Sequence, residues 1–270
     1  MNMQNQDQFN VILDALKRLP PIFLGDSYKY SHFNQYPDGT TRVNSYIESR
    51  GGAFDKAVFF GLTAVTKRYL SQKITVADVE LANALIGQHG VPFNYDGWMR
   101  IATDFDGYLP IEIEAMPEGM VAPSGHGQAQ IWNPAHDMKS VTSFAETLLL
   151  GGIWYASTVA SLSRKAKELI YAALKETCEN PDAAIMFMLQ DFGLRGVGTP
   201  ETGMMGGMGH LENFAGTDTF IATMGVMGYY NTSAMPGFSV AAMEHSTVTM
   251  WGREGEADAY ENMLRTNPTG

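Results

Sequence analysis

The hexapeptide DFGLRG, residues 191–196, sets an acid, an aromatic ring, two glycines and an arginine side by side, directly after the apolar run AIMFML and Gln190. Such a set suits ligand binding. An aromatic face can stack on a flat ring, an arginine can hold a carbonyl or a phosphate bidentately, and glycines admit a ligand close to the backbone. In parallel α/β folds, ligands sit at the C-terminal ends of strands. Three further stretches have the same character: GDSYKYSHFNQYP (25–37), GTDTF (216–220) and MEHST (243–247). Taken singly, each also has a structural reading. Asp218 could cap the helix that follows it, and Tyr28 and Tyr30 could be packing residues. Arg195 could pair with a helix C-terminus, and His245 beside Glu244 could be a satisfied histidine without a chemical role.

The elements that must position these residues change texture along the chain. Phe9, Ile12, Leu13 and Leu16 recur at helical spacing, predicting an amphipathic helix over 8–19 that ends at Pro20-Pro21. RVNSYIES reads as a strand. TVADVELANALIGQHG opens with Thr75 and Asp78 in capping-box register and closes at Gly90, so it reads as a helix capped at both ends. Residues 109–133 alternate polar and apolar around Pro-Glu-Gly and Pro-Ser-Gly turns, which predicts a β-hairpin. A long helix is expected from about 140 to 178, with Leu162, Ala166, Leu169, Ala173 and Leu174 on one face, stopping at Asn180-Pro-Asp182. Beyond 181 the expectation is βα units: AIMFML as a buried strand, PETGMMGGMGHLENF and DTFIATMGVMGYY as helices, and GFSVAA as a further strand. The glycines at 203, 206, 207 and 209 are expected to let their helix pack closely on its neighbours, and the 17 methionines to serve adaptable packing.

Composition narrows the classes of function. With 45% hydrophobic and 17% charged residues the chain is an ordinary folded sequence. A net charge of −11 argues against nucleic acid as a main partner, because the phosphate backbone demands a basic surface. The single cysteine, Cys178, excludes an internal disulfide and a Cys-cluster zinc site, and fits a reducing cytoplasmic setting. The polar opening MNMQNQDQFN is unlike a signal peptide. The stretch TLLLGGIWYASTVASL is too short and too interrupted by Gly, Ser and Thr to span a bilayer, so no membrane role is expected.

Together, Asp26-Ser-Tyr28-Lys29, Arg50, LPIEI with PEG, DFGLRG, HLENFAGTDT, GFSV, EHST and WGRE occur in the order and spacing of one family. The chain resembles the nicotinamide phosphoribosyltransferases, type II phosphoribosyltransferases, in register over nearly all of its 270 residues. The resemblance implies an α/β fold: a mixed α+β N-terminal domain over 1–180, carrying dimer and base-capping elements, then the first βα units of an irregular barrel over 181–270. The implied reaction is a pentosyl transfer joining nicotinamide to 5-phosphoribosyl-1-pyrophosphate, giving nicotinamide mononucleotide and pyrophosphate. Phe192 is the implied lower face for the nicotinamide ring, and Tyr28 the upper face, donated by the other subunit of a homodimer with a shared active site. Asp218 is the implied acceptor for the carboxamide NH₂; its charge would repel the carboxylate of nicotinate. Arg195 and Asp26 are implied substrate contacts, Arg50 a phosphate contact across the dimer, and His245 the residue phosphorylated when ATP hydrolysis is coupled to synthesis.

This sequence departs from the family pattern at Gln190, where a histidine is common, and at Met243, where the family often has small residues. The match stops at residue 270. The family segments with acidic residues for Mg²⁺ and ribose, further arginines and a glycine-rich phosphate loop have no counterpart: GMMGGMGH lacks both a basic residue and a strand–loop–helix setting. The expectation is a chain weakly active or inactive alone, with the Mg²⁺ site mainly outside it and no metal ligands within it. The alternative reading is a non-catalytic nicotinamide-binding or assembly module, or one subunit of a split enzyme.

Overall fold

The computed structural model describes residues 3–268. Helix α1 (Met3–Arg18) precedes two 3-10 segments, Pro21–Phe23 and Ser27–Asn34. Strands β1 (Asn44–Glu48) and β2 (Lys56–Val58) lead to α2 (Leu62–Val65), α3 (Val76–Gln88) and α4 (Tyr95–Thr103). Strands β3 (Glu112–Ala115), β4 (Val121–Pro123) and β5 (Gly127–Trp132) precede the 38-residue helix α5 (Ser140–Thr177). The remainder comprises α6 (Pro181–Ala184), β6 (Gln190–Asp191), α7 (Pro200–Leu211), β7 (Gly216–Thr217), α8 (Phe220–Tyr230), α9 (His245–Thr249) and α10 (Glu256–Thr266).

Helix α5 is the spine. At 1.5 Å per residue it runs about 57 Å, and Val141, Phe144, Ala145, Leu149, Ile153, Ala156 and Ala160 bury one stripe of it. Three apolar cores share that stripe. The first packs Ile22, Tyr30, Val79 and Trp98 around Phe144; the second packs Ile47, Phe59 and Ile131 on Leu149 and Ile153; the third packs Phe60, Met208 and Ala222 on Ala156 and Ala160. The face expected from sequence is not the buried one, because Leu162 and Leu169 are 58% and 64% exposed. At 3.6 residues per turn those residues lie about 160° around the helix from the 153–156–160 stripe, and no described element covers them. Helix α1 differs likewise: it forms as expected, yet Phe9, Leu13 and Leu16 are exposed and Ala15 is the buried contact.

Capping behaves as the sequence predicts. Thr75 and Asp78 form a reciprocal capping box at α3. Asp78, itself buried, also takes Nη2 of Arg18 at 2.7 Å, tying α1 to α3. Burial alone would raise the Asp78 carboxyl, but the donors from Arg18 and Thr75 overcome it and hold it below the ordinary carboxylate range.

The expected 109–133 hairpin is instead divided between two sheets. β3 pairs antiparallel with β5, which also pairs with β1, while the intervening β4 pairs with β2. The Pro117–Gly119 turn, with Gly119 at φ +83°, steers the chain out of one sheet and into the other. The run AIMFML is not a buried strand. Asn180 caps Ala183 and Pro181 occupies the first helical turn, so the chain enters α6 and then a 3-10 turn over Ile185–Phe187. A strong helix start outweighs a short apolar run, which is ambiguous by periodicity. Only Gln190–Asp191 is extended, and of GFSVAA only Phe238 makes a β-bridge.

The βα order nevertheless holds. β6 and β7 are parallel, joined through α7, and Phe238 bridges Gly216 in parallel after α8. The ladder is extended by Thr217 N–H donating to the Phe238 carbonyl at 2.9 Å and Phe238 N–H to the Ala215 carbonyl at 2.7 Å. His210, buried on α7, supports it from behind: Nε2 donates to the Gly216 carbonyl at 2.9 Å while the ring stacks on Phe214. Burial pushes the His210 imidazole down from its usual value, the carbonyl hydrogen bond only partly offsetting it.

Helix α7 reaches this position because it carries no side chain where it crosses its neighbours. A Cβ on Gly209 would stand 2.7 Å from the Ala156 carbonyl oxygen, and one on Gly207 2.5 Å from Ala222 Cβ. Two outcomes follow for stability. Gly209→Ala should cost about 1–3 kcal/mol in urea unfolding, since backbone cannot give way, whereas Gly228→Ala on α8, with open space around it, should be neutral or stabilising by up to about 1 kcal/mol. A depressed histidine binds protons more readily unfolded than folded, so its contribution is fully present above about 6.5 and is lost as pH falls. The unfolding midpoint should therefore drop between pH 7 and 5.5 with a steeper slope in the native chain than in His210→Gln; equal slopes would show that His210 does not titrate on unfolding. His32, lowered by burial and by Lys29, keeps a residual slope in both.

Candidate functional site

The register of the ladder brings three separate stretches to one edge. Gln190 pairs with Gly216 and Asp191 with Thr217, and Phe238 bridges Gly216. Past the β6–β7 pairs come Phe192 and Asp218, while Ser239 follows the Phe238 bridge and lies level with Thr217, one residue short of them in register, all at the C-terminal ends of parallel segments. Phe192 is 60% exposed, its face open to solvent. Asp218 N–H donates to the Asp191 carbonyl at 2.8 Å, and the Asp218 carboxylate accepts Gln190 Nε2 at 3.4 Å and the Ser239 hydroxyl on the same oxygen, Oδ1.

Asp191 shapes the loop that follows it. Its Oδ1 accepts Gly193 N–H at 2.8 Å and its Oδ2 accepts the Thr217 hydroxyl at 3.4 Å. A Cβ at Gly193 would lie 2.8 Å from that Oδ1, so the glycine makes the turn possible. Arg195 follows on the 3-10 turn Gly193–Gly196, exposed and without an ion-pair partner among the described residues. The edge therefore offers an aromatic face and an anchored carboxylate, with an exposed guanidinium three residues beyond the ring in sequence.

The other candidates lie elsewhere. Tyr28 sits on the 3-10 segment Ser27–Asn34, its ring exposed and edge-on to His32 at 4.9 Å. Next to it, Lys29 is buried and anchors the segment to α5 through the Ser143 carbonyl at 2.8 Å and Glu146 at 2.5 Å. Asp26 adds a second tether, accepting the Thr147 hydroxyl at 2.6 Å. Buried Lys29 thus fixes the direction in which exposed Tyr28 projects. Arg50 is exposed on the loop after β1 and lines a cavity of about 330 Å³ with Trp154 and Ser157 of α5. His245 begins the short helix α9, exposed, behind a capping box between Glu244 and Thr247. Among the described residues no hydrogen bond, ring contact or cavity joins Tyr28, Arg50 or His245 to the Phe192–Asp218 edge.

Sequence reasoning passed over Ser239 and gave Gln190 no role beyond a departure from pattern. The signal for Ser239 lies in the fold: it directly follows the one residue of GFSVAA that joins the parallel ladder.

Residues 20–113 match the family "Nicotinamide phosphoribosyltransferase, N-terminal domain", and residues 187–268 match the "Nicotinate phosphoribosyltransferase (NAPRTase) family". The nicotinamide phosphoribosyltransferase of Xanthomonas campestris pv. campestris is 44% identical over 239 residues, which is 88% of this chain and 51% of that protein. That of Acinetobacter baylyi is 28% identical over 92% of this chain and 52% of its own length. The chain thus spans about half the length of the curated relatives it matches. Two solved structures share the fold: human nicotinic acid phosphoribosyltransferase (TM-score 0.58, 22% identity, 84% of this chain and 40% of that one) and nicotinate-nucleotide pyrophosphorylase from Pyrococcus furiosus (TM-score 0.51, 17% identity, 86% and 44%). The mixed α/β architecture is accordingly that of the type II phosphoribosyltransferases, and the chain matches first the N-terminal-domain profile of the nicotinamide phosphoribosyltransferases and then the NAPRTase profile.

Proposed function

We propose that the chain forms the base-binding half of a nicotinamide phosphoribosyltransferase of NAD salvage, a pentosyltransferase that joins nicotinamide to 5-phosphoribosyl-1-pyrophosphate. The observation that carries this reading is the adjacency of an exposed aromatic face and an anchored carboxylate, Phe192 and Asp218, at the ends of parallel strands. Nicotinamide is a flat uncharged ring with a donor amide, and these two groups answer its two features.

In the proposed reaction the lone pair of the pyridine nitrogen forms the bond to the ribose anomeric carbon as the bond from that carbon to pyrophosphate oxygen breaks. Phe192 holds one face of the ring. Tyr28 comes from a second copy of the chain to cover the other, a reading supported by its separation from Phe192 within one chain. Asp218 fixes the ring's rotation by accepting from the carboxamide, and Arg195 contacts the substrate beside it. Asp26, through Thr147, holds the segment that presents Tyr28. Arg50 contributes charge for phosphate across the same dimer. His245 accepts the phosphoryl group from ATP where hydrolysis is coupled to synthesis, a reading compatible with its exposure at a helix start.

Among the described residues, no group of three or more His, Cys, Asp or Glu side chains is arranged to hold a metal ion, so no step assigned to these residues runs through Mg²⁺. The division near residue 181, between an N-terminal domain and the βα units, belongs to the same proposal, as does a cytoplasmic homodimer. No described helix is long and apolar enough to cross a membrane.

Titration calorimetry with the two free bases tests the reading. The native chain should bind nicotinamide at least about tenfold more tightly than nicotinate, because a carboxylate facing Asp218 is repelled by its charge. Asp218→Asn, which keeps an acceptor but removes the charge, should narrow that preference by about tenfold. Phe192→Ala should weaken both bases by roughly five- to tenfold through the lost stacking face. A native chain that prefers nicotinate, or an Asp218→Asn chain with an unaltered preference, would refute the assignment. Binding without turnover in the presence of 5-phosphoribosyl-1-pyrophosphate would favour a binding module over a self-sufficient enzyme.

A further inference from the structure

The two oxygens of the Asp218 carboxylate are not equivalent. Oδ1 accepts both hydrogen bonds that the chain offers, from Gln190 Nε2 at 3.4 Å and from the Ser239 hydroxyl. Oδ2 accepts none among the described residues. The main chain at Asp218 is fixed as well, since its N–H donates to the Asp191 carbonyl and its carbonyl accepts Phe220 N–H at 3.0 Å. An exposed aspartate would otherwise turn freely about its side-chain torsions. Here two donors from two different segments converge on one oxygen and leave the other bare.

Each donor is itself held by the ladder. Ser239 directly follows Phe238, whose N–H and carbonyl are both bonded to the β7 segment; its hydroxyl also lies 3.5 Å from the Val240 carbonyl, a weaker alternative. The Gln190 carboxamide lies over Gly216, where a Cβ would come within 2.2 Å of Gln190 Oε1. Gly216 therefore makes room for the Gln190 side chain. With a carboxylate as its neighbour, only the NH₂ end of that amide can face Asp218.

We propose that Gln190 and Ser239 are positioning residues for base recognition: by occupying Oδ1 they lock the rotamer of Asp218 and present Oδ2 as a single preoriented acceptor for one N–H of the bound carboxamide. This deepens, and rests on, the assignment of Asp218 as the acceptor for nicotinamide. The gain is pre-organisation, since the torsional freedom of the carboxylate is removed before the ligand arrives. The contact selects a donor group and gives nothing to a ring that carries a methyl ketone in place of the amide.

The test uses nicotinamide and 3-acetylpyridine, which keeps the ring and carbonyl but lacks the N–H, with the full chain in titration calorimetry. Ser239→Ala should weaken nicotinamide by about fivefold, the effect of losing one hydrogen bond to the acceptor. Gln190→Leu, removing the longer bond, should weaken it about twofold, and neither change should move 3-acetylpyridine. Ser239→Thr, which keeps the hydroxyl, should restore nicotinamide binding. In an Asp218→Ala background Ser239→Ala should have no further effect, the coupling expected only if Ser239 acts through Asp218. Equal losses for both ligands, or the same loss with and without Asp218, would overturn the proposal. If Asp218→Ala costs affinity for nicotinamide but Ser239→Ala and Gln190→Leu do not, the positioning role falls and the base-site assignment stands. If Asp218→Ala leaves nicotinamide binding intact, or the native chain does not bind it, both fall together.

Discussion

The backbone of α7 passes so near α5 that a single methyl group at Gly209 would fall 2.7 Å from the Ala156 carbonyl oxygen, and the rest of the C-terminal region depends on that approach. Helix α7 is the connection between β6 and β7, so its distance from the spine sets where both strands can lie. His210, one residue on, is bonded to the β7 carbonyl at Gly216, and Gly207 lets α8 close on the other side. The glycines carry a conformational cost in a helix, on the order of 1 kcal/mol each relative to alanine. Burial of Met208, Ala222 and Phe60 in the core they make possible offsets it. A bulkier α7 would displace the ladder and with it Phe192, Asp218 and Ser239.

The N-terminal region solves a different problem, that of holding an exposed aromatic ring on a short segment. The 3-10 segment Ser27–Asn34 has too few internal hydrogen bonds to be rigid alone. Lys29, buried against α5, and Asp26, bonded to Thr147, make it rigid by attaching it at two points to the longest helix in the chain. Burying an ammonium group is costly unless it is paired, and Lys29 meets that condition with one carbonyl and one carboxylate. Tyr30, beside it, is buried with its hydroxyl on the Ile22 carbonyl, and burial pushes that phenol up to about 12. Lys29 and Tyr30, adjacent in the segment, thus both face inward, and Tyr28 before them is left outward.

How much of this the sequence discloses depends on whether the signal is local. The Thr75–Asp78 box, the helix ends at Pro20 and Asn180, and the close-packing glycines of α7 were all legible, because each is settled by a few neighbouring residues. The run AIMFML was misread for the same reason: apolar content within six residues cannot separate strand from helical turn, and the deciding residues, Asn180 and Pro181, lie just outside it. The 109–133 segment was read as strands correctly but paired wrongly, since pairing β4 with β2 depends on a partner more than sixty residues away. Which face of α5 is buried failed similarly, as two apolar stripes compete on one helix and only the packing of other elements chooses between them. Phe192 and Asp218 were found through motif, whereas Ser239 needed the ladder register to show that it stands beside them.

A parallel ladder also explains why so short a piece of sheet can organise an edge. In parallel pairing every strand ends at the same side, so residues that follow successive strands become neighbours however far apart they lie in sequence. Positions 192, 218 and 239 are separated by 26 and 21 residues, yet two pairings and one bridge bring them to the same edge. Each segment supplies a different capability: β6 an aromatic face followed by an arginine, β7 a carboxylate, and the Phe238 segment a hydroxyl that restrains it. The carboxylate alone would be a mobile, solvated group with two equivalent oxygens. Held by neighbours on both sides, it becomes an acceptor with a fixed direction.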